Sequence, residues 1–263
     1  MNGSFENLIV SRRGHVAEVR FNRPQRLNAV TEALYAELQQ ALQSLEKEPD
    51  IRVLVLTGEG RAFCVGADMK AHAEGQRSAS QRRQYLAAEQ AVCLQIRRLS
   101  KPVVAAVNGY ALGAGAEMAL AADFLLMKAS AQIGLPEVTI GTFLGGGVTH
   151  TLPRLVGLAK ARELVFLGER IDGDEALRIG LASRSFSDNR FESEVTAFCE
   201  RLAGAAPHSM QLAKQQLNRA GEQDFESALQ CELEGMTFCA TTHDWQEGVD
   251  AFREKRAPRF TGQ

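Results

Sequence analysis

Apolar and polar residues recur along this chain with two different periods, which predicts both strands and helices. Residues 16–21, VAEVRF, place Glu18 and Arg20 on one face and apolar side chains on the other, as in a half-buried strand. The runs VLVLT at 53–57 and PVVAAV at 102–107 are apolar almost throughout, which is typical of strands covered on both faces.

Between these strands the apolar residues have helical spacing. One predicted helix ends before Pro49, and another ends before the strand that follows Pro102. The apolar positions are Leu34, Leu38, Leu42 and Leu45 in the first, and Tyr85, Ala88, Val92, Ile96 and Leu99 in the second. Strands that alternate with helices indicate an α/β fold.

From residue 191 the pattern is helical almost to the end of the chain. Asp172 with Glu175, and Asp244 with Glu247, have the spacing of helix caps, which predicts a helix start at each place. One apolar stripe consists of Phe225, Leu229, Leu233 and Met236. Such a stripe either packs within its own chain or forms an interface, and the residues alone favour packing within the chain.

Composition excludes several classes of protein. A net charge of −2 without a basic tract argues against a nucleic-acid partner. No apolar run approaches the roughly 20 residues of a membrane-spanning helix, and the first residues lack the features of a secretory signal, so a cytoplasmic location is expected. The five cysteines are odd in number and form no CxxC pair, which indicates free thiols.

Three glycine-bearing loops stand between predicted elements. They are RAFCVGADMK at 61–70, NGYALGAGAEMA at 108–119 and GLPEVTIGTFLGGG at 134–147. The first N–H groups of a helix have no internal partner, so such junctions favour anions and developing oxyanions. Glycine also lets a ligand come close to the backbone.

The sequences of these loops do not match the common phosphate-binding motifs or the motif that carries a nucleophilic serine. Gly113 and Gly115 begin a GxG, but Met118 stands where the third small residue of GxGxxG is needed. No GxSxG elbow occurs, and the five histidines have no metal-ligand spacing, so no metal site is predicted.

Two carboxylates in the loops, Glu117 and Glu137, are the remaining candidates for chemistry. Glu117 is either a surface residue in a helical first turn or a functional group, and Glu137 is either a solvated loop residue or a functional group. The functional hypothesis draws support from Ala114, Ala116 and Met118 around Glu117, since a carboxylate among apolar groups is costly unless it is paired or used.

The three loops, together with RPQRLNAV at 23–30 and EGVDAFREKRAPRF at 247–260, resemble the enoyl-CoA hydratase/isomerase, or crotonase, family. The resemblance covers nearly the whole chain. It implies an α/β fold built as a spiral of ββα units, with a catalytic core at residues 1–200 and a helical C-terminal trimerisation region at 201–263. It also implies a homotrimer or a dimer of trimers, which favours the interface interpretation of the final helices.

The resemblance assigns roles to individual residues. Ala67 and Ala114 match positions whose backbone N–H groups form an oxyanion hole for a thioester carbonyl. Glu117 and Glu137 match the pair that holds the catalytic water and moves protons, and Gly145 matches a position that helps fix that water. The coenzyme A site is expected at Arg23, Arg26, Leu27, Ala29, Ala67, Asp68, Met69 and Lys70.

This chemistry needs no cofactor, because coenzyme A is part of the thioester substrate. Addition of water to a 2-enoyl thioester places charge on the thioester oxygen and needs two carboxyl groups in different protonation states. Retention of both glutamates favours a hydro-lyase, an enoyl-CoA hydratase, over a Δ3,Δ2-enoyl-CoA isomerase, which needs only one base. A non-catalytic acyl-CoA-binding protein is the other alternative.

Overall fold

The computed structural model describes residues 5–69 and 78–263. Ten strands form two sheets in this part of the chain. The larger sheet has the order β1-β2-β3-β5-β7-β10, in which β1 and β2 are antiparallel and the other neighbours are parallel. Its strands are β1 (Leu8–Arg13), β2 (Val16–Phe21), β3 (Val53–Gly58), β5 (Val103–Val107), β7 (Phe124–Lys128) and β10 (Arg184–Phe186).

The smaller sheet has the order β4-β6-β8-β9, with β9 antiparallel to β8. Its strands are β4 (Ala62–Cys64), β6 (Tyr110–Leu112), β8 (Gln132–Gly134) and β9 (Arg170–Asp172). Each of them has only three residues. Strands this short show no sequence period, which is why the sequence predicts loops at 61–70 and 108–119 where the structure has a strand inside each.

The described residues contain nine α-helices. They are α1 (Glu32–Glu46), α2 (Ala79–Arg98), α3 (Ala114–Leu120), α4 (Val148–Leu167), α5 (Gly173–Arg178), α6 (Phe191–Ala203), α7 (Pro207–Asn218), α8 (Phe225–Cys239) and α9 (His243–Glu254). Helix α4 is interrupted at Gly157, whose φ of 76° and ψ of 156° are not helical.

Two strands and a helix recur in chain order as β3-β4-α2, β5-β6-α3 and β7-β8-α4. The first strands of these units pair in the larger sheet and the second strands pair in the smaller one. Each unit therefore adds one strand to the larger sheet and one to the smaller sheet, which confirms the spiral of ββα units. The same repetition brings the ends of β4, β6 and β8, where the three loops lie, to one region.

Burial follows the predicted periods. In β2 the residues Ala17, Val19 and Phe21 are buried, and all residues of β3 and β5 are buried. Helix α1 buries Leu34, Leu38, Leu42 and Leu45, as predicted. In α2 the prediction is correct for Tyr85, Val92 and Ile96, whereas Ala88 is half-buried and the buried positions include Glu89 and Cys93.

One helix cap is predicted correctly and one wrongly. The Asp172 side chain accepts a hydrogen bond from the Glu175 N–H and caps α5. Helix α9 is capped instead by Thr242, which accepts from the Trp245 N–H. Asp244 lies inside the helix and accepts from the backbone N–H groups of Thr261 and Gly262, so a tertiary contact with the chain end replaces the expected cap.

The predicted stripe of α8 does not pack within the described chain, and none of its residues is buried. Its members are exposed by 76% at Phe225, 49% at Leu229, 52% at Leu233 and 64% at Met236. The expectation of intramolecular packing is therefore wrong. The predicted boundary at residue 200 falls inside α6, and the division into core and C-terminal region stays a prediction.

All five cysteines are free, as predicted. Within the described ranges no helix is both long enough and apolar enough to cross a bilayer.

Candidate active site

The three glycine-bearing loops meet at the ends of the short strands. A Cβ placed on Gly66 would lie 2.9 Å from the Leu112 carbonyl oxygen and 3.4 Å from the Ala114 nitrogen. A Cβ on Gly113 would lie 3.0 Å from Oε1 of Glu137. The first loop therefore touches the second, and the second touches the third, at distances that leave no room for side chains.

Ala67 follows Gly66 at this junction. It forms an isolated parallel bridge with Val30, in which the Val30 N–H donates to the Gly66 carbonyl and the Asp68 N–H donates to the Val30 carbonyl. The Gly66 carbonyl and the Ala67 N–H belong to one trans peptide and point in opposite directions. Because the carbonyl faces Val30, the Ala67 N–H points away from Val30.

Ala114 is the first residue of α3, so its N–H has no acceptor within the helix. Gly113 precedes it with φ 53° and ψ −127°, a conformation that residues with a Cβ rarely adopt. The Ala114 nitrogen would lie 3.4 Å from a Cβ on Gly66, at the junction that also holds Ala67. The assignment of the Ala67 and Ala114 N–H groups to an oxyanion hole stays a prediction.

Glu117 is buried one turn into α3, at 2% exposure. Its Oε1 accepts a 2.6 Å hydrogen bond from the Gly145 N–H, which belongs to the third loop. Its Oε2 is buried and receives no hydrogen bond from an N–H or hydroxyl group in the described residues. The interpretation of Glu117 as a surface glutamate is therefore wrong.

Glu137 is also buried, at 6% exposure, and opens a 3₁₀ helix, Glu137–Ile140. Its Oε1 faces Gly113, and its Oε2 is buried without a hydrogen-bond partner in the described residues. The interpretation as a solvated loop residue is wrong for it too. A buried carboxyl oxygen without a donor is a place where a ligand or water supplies the missing partner.

Burial raises the pKa of both carboxyls. The pKa of Glu117 is raised mainly by desolvation and then by the neighbouring Glu89, while the Gly145 N–H acts in the opposite direction. The pKa of Glu137 is raised from 4.5 to about 7, mainly by desolvation, with a further contribution from the charge of Glu117. A carboxyl whose pKa lies near neutrality is suited to give and take protons at physiological pH.

The predicted coenzyme A segments lie side by side, joined by an ion pair between Arg23 and Asp68 at 3.2 Å. The Arg23 guanidinium also donates to the Ala29 carbonyl oxygen. Leu27 has a left-handed backbone conformation, with φ 51°. Arg26 and Met69 are exposed, whereas Ala29 is buried. Lys70 lies outside the described residues.

Two residues beside the site are missed by the sequence interpretation. Asn28 is fully buried, its side chain donating to the carbonyls of Glu59 and Ala62 and accepting from the Arg23 N–H, so it fixes the fold of segment 23–30. The available signal was an asparagine in a turn, since asparagine tolerates the left-handed conformation that Asn28 adopts.

Glu89 is the second residue, and it lies on the buried face of α2 beside Glu117. Its signal was the helical spacing itself, since Tyr85, Glu89 and Cys93 are each four residues apart.

No group of three or more His, Cys, Asp or Glu side chains within the described residues is arranged to hold a metal ion.

Comparison with known proteins defines the class to which this fold and site belong. The sequence profile described as enoyl-CoA hydratase/isomerase matches residues 11–263. The chain therefore belongs to the enoyl-CoA hydratase/isomerase family.

Individual relatives extend over the whole chain. It is 34% identical to the crotonyl-CoA hydratase of Syntrophomonas wolfei over 98% of both chains. It is 38% identical to the 2,3-dehydroadipyl-CoA hydratase of Escherichia coli over 97% of this chain and 99% of the relative.

Crystal structures of enoyl-CoA hydratases have the same fold as this chain. The crystal structure of an enoyl-CoA hydratase from Bacillus anthracis superposes with a TM-score of 0.94 at 35% identity, and covers 98% of this chain and 100% of that one. An enoyl-CoA hydratase from Polaromonas sp. JS666 gives a TM-score of 0.92 at 30% identity, with coverage of 96% and 99%.

Proposed function

We propose that this protein is an enoyl-CoA hydratase, a hydro-lyase that adds water reversibly to the double bond of a 2-enoyl-CoA thioester to give a 3-hydroxyacyl-CoA. The observation that carries the proposal is the pair of buried carboxyls, Glu117 and Glu137, beside the Ala67 and Ala114 N–H groups. The hydratase names of relatives at 34–38% identity support the same activity.

The backbone N–H groups of Ala67 and Ala114 are proposed to bind the thioester oxygen. As water adds to the β-carbon, negative charge moves onto this oxygen. Two donors that the fold has already oriented stabilise that charge without reorganisation, an effect worth about 3–4 kcal/mol per donor in comparable sites.

The two carboxyls are proposed to move the protons. Glu117 acts in its ionised form, which the Gly145 N–H favours against the desolvation that raises its pKa, and it takes a proton from the water whose oxygen bonds to the β-carbon. Protonated Glu137 delivers its proton to the α-carbon, and the burial that raises its pKa keeps that proton bound near neutral pH. One proton is taken and one is given, so the pair ends with the same total charge.

The coenzyme A portion of the substrate is proposed to lie along segments 23–29 and 67–70. The Arg23–Asp68 ion pair ties these segments together. The Arg23 guanidinium is partly occupied by this ion pair, whereas exposed Arg26 is available to bind a phosphate group of coenzyme A. The proposed activity requires no separate cofactor or metal, because the thioester carries coenzyme A with it.

The exposed apolar side chains of the C-terminal helices support assembly into a homotrimer or a dimer of trimers. Phe252 is 85% exposed and Leu217 is 73% exposed. Surfaces of this kind usually mark contacts between proteins. We also propose a cytoplasmic location.

The test is an assay of the purified protein against 2-enoyl, 3-enoyl and 3-hydroxyacyl thioesters of coenzyme A, with products identified by mass spectrometry. We expect hydration of a 2-enoyl substrate and a loss of about 10²- to 10⁴-fold in kcat for both Glu117→Gln and Glu137→Gln. Glu46→Gln is the control, because Glu46 is a half-buried helical carboxyl far along α1.

Near-normal hydration by both active-site variants contradicts the proposal. Conversion of only the 3-enoyl substrate identifies an isomerase, and tight thioester binding without turnover identifies a binding protein.

A further inference from the structure

A third carboxyl, Glu89, lies beside the proposed catalytic pair. It is in the middle of α2 and only 8% exposed. A carboxylate on the buried face of a helix is unfavourable unless it is paired, hydrogen-bonded or protonated. Neither the proposed oxyanion hole nor the proposed proton transfers use this residue.

Glu89 and Glu117 converge on Gly145. A Cβ placed on Gly145 would lie 2.8 Å from Oε2 of Glu117 and 2.9 Å from Oε1 of Glu89. The two carboxyls are within hydrogen-bond reach of each other. The Glu117 oxygen that lies against this Cβ position, together with Glu89, is the same Oε2 that receives no N–H or hydroxyl donor from the described residues. A proton on Glu89 supplies a donor at this position.

No cation is among the described groups that shift the pKa of Glu117. Those facing Glu117 are Glu89, Glu137, Cys93 and the Gly145 N–H. The charge of Glu89 also acts on Tyr35 of α1, Cys64 of β4 and Cys93 of α2, and the Arg23 guanidinium acts on Cys64 in the opposite direction. Burial raises the pKa of Tyr35, Cys64 and Cys93, so all three are neutral at pH 7.

Two carboxyl groups can hydrogen-bond to each other only when one of them carries a proton. We propose that Glu89 is a positioning residue that shares a proton with Glu117 and thereby holds its Oε2, while Gly145 holds its Oε1. This inference rests on the proposed hydratase function for its kinetic consequence.

The shared proton keeps Glu117 ready to act as a base. With the proton on Glu89, Glu117 is ionised and held at both oxygens. Each carboxylate oxygen has two lone pairs, so acceptor positions remain for the catalytic water. During the proposed reaction the shared proton stays on Glu89. Glu117 gains a different proton, which it takes from the catalytic water.

The experiment compares Glu89→Gln, Glu89→Leu and the control Glu46→Gln over a range of pH. The glutamine amide donates to Oε2 without titrating and removes a neighbouring negative charge. We therefore expect Glu89→Gln to retain kcat near the wild-type value at the optimum. The acid limb of its pH profile should lie about one pH unit lower, because the pKa of Glu117 falls.

Leucine removes the donor, so Glu89→Leu should lose about ten- to a hundredfold in kcat with little change in KM. The inference is overturned if both variants keep the wild-type pH profile and kcat, since Glu89 then only fills space. It is also overturned if Gln and Leu reduce kcat equally, since the donor then has no role.

Infrared absorbance of protonated carboxyl groups at pH 7 is a readout that does not depend on activity or on the leucine variant. It should fall in Glu89→Gln, which cannot hold the shared proton, and stay unchanged in Glu46→Gln. No fall overturns the inference. If the wild-type protein hydrates no substrate, the proposed function fails, while the infrared comparison still tests the shared proton.

Discussion

A buried carboxyl is costly unless it is paired, hydrogen-bonded or protonated, and three such carboxyls lie in one region of this structure. Glu89, Glu117 and Glu137 are each less than a tenth exposed. A backbone N–H from Gly145 offsets part of the cost at Glu117, and burial raises the pKa of both Glu117 and Glu137, which favours their neutral forms. The free energy of such an arrangement depends on pH, so the proposed catalytic residues also influence stability.

Glu137 provides the clearest case. Its pKa is about 7 in the folded protein, against an ordinary value of 4.5, so the folded state holds a proton that the unfolded chain has lost between these pH values. Stability therefore falls as pH rises through this window. We expect Glu137→Gln to match the wild type near pH 5 and to exceed it by about 1–3 kcal/mol near pH 8.

Chemical denaturation at the two pH values measures this difference. Glu46→Gln controls for the loss of a half-buried carboxyl elsewhere. Equal stability of Glu137→Gln and the wild type at both pH values would show that burial does not raise the pKa of Glu137.

At the scale of single elements, the loop–helix junction of α3 determines the geometry of the proposed oxyanion hole. Gly113 has φ 53°, and a Cβ there would lie 3.0 Å from Oε1 of Glu137. Gly14, in the turn between β1 and β2, has a similar φ of 55° but nothing within 4 Å of its Cβ position. A comparison of substitutions at these two glycines therefore distinguishes the effect of backbone strain from the effect of crowding in the site.

We expect Gly14→Ala to lose about 1 kcal/mol of stability, because alanine is strained at positive φ, and Gly113→Ala to lose more, because its methyl group also crowds Glu137. Only Gly113→Ala should also lose hydration activity, by about tenfold or more, since its methyl group displaces Glu137 and shifts the Ala114 N–H. Thermal melts and steady-state kinetics check both effects. Equal activities for the two variants would argue against the proposed position of the oxyanion hole.

The longer elements were predictable from sequence, and the short ones were not. Helix α1 and strands β2, β3 and β5 have enough residues to show a period. Strands β4, β6 and β8 have three residues each, so their pairing in a second sheet follows only from tertiary structure.

The candidate site was partly predictable for the same physical reason. Glu117 and Glu137 stand out because they interrupt glycine-rich or apolar segments. Glu89 was missed because charged residues are frequent in α2, a helix of mixed polarity, so its four-residue spacing from Tyr85 did not distinguish it. Asp244 was misassigned because its partners, Thr261 and Gly262, are distant in sequence.

At the scale of the whole molecule, the C-terminal helices are tied to the sheets at a few polar points. Lys214 of α7 forms a 2.7 Å ion pair with Asp123, which precedes β7. Arg52 donates to the carbonyl oxygens of Ala203 and Phe260. The apolar stripe of α8 takes no part in these contacts and is exposed, so it is available for contact with other copies of the chain.

Assembly is therefore expected in solution. Light scattering coupled to size exclusion should give three or six times the mass of the chain. Phe252→Glu should shift the protein toward the monomer, because it places a charge on the proposed contact surface. Leu177→Glu, at an exposed position on α5, is the control and should leave the mass unchanged. A monomeric wild-type protein would contradict the proposed assembly.

The proposed oxyanion donors belong to the backbones of two alanines, Ala67 and Ala114. A systematic alanine scan of this protein would leave both positions unaltered, and most other side chains placed there would retain the N–H. Half of the proposed machinery would thus be invisible to the usual mutational survey. It would be reached only by changes that move the peptide itself, such as proline at these positions or an ester in place of the amide.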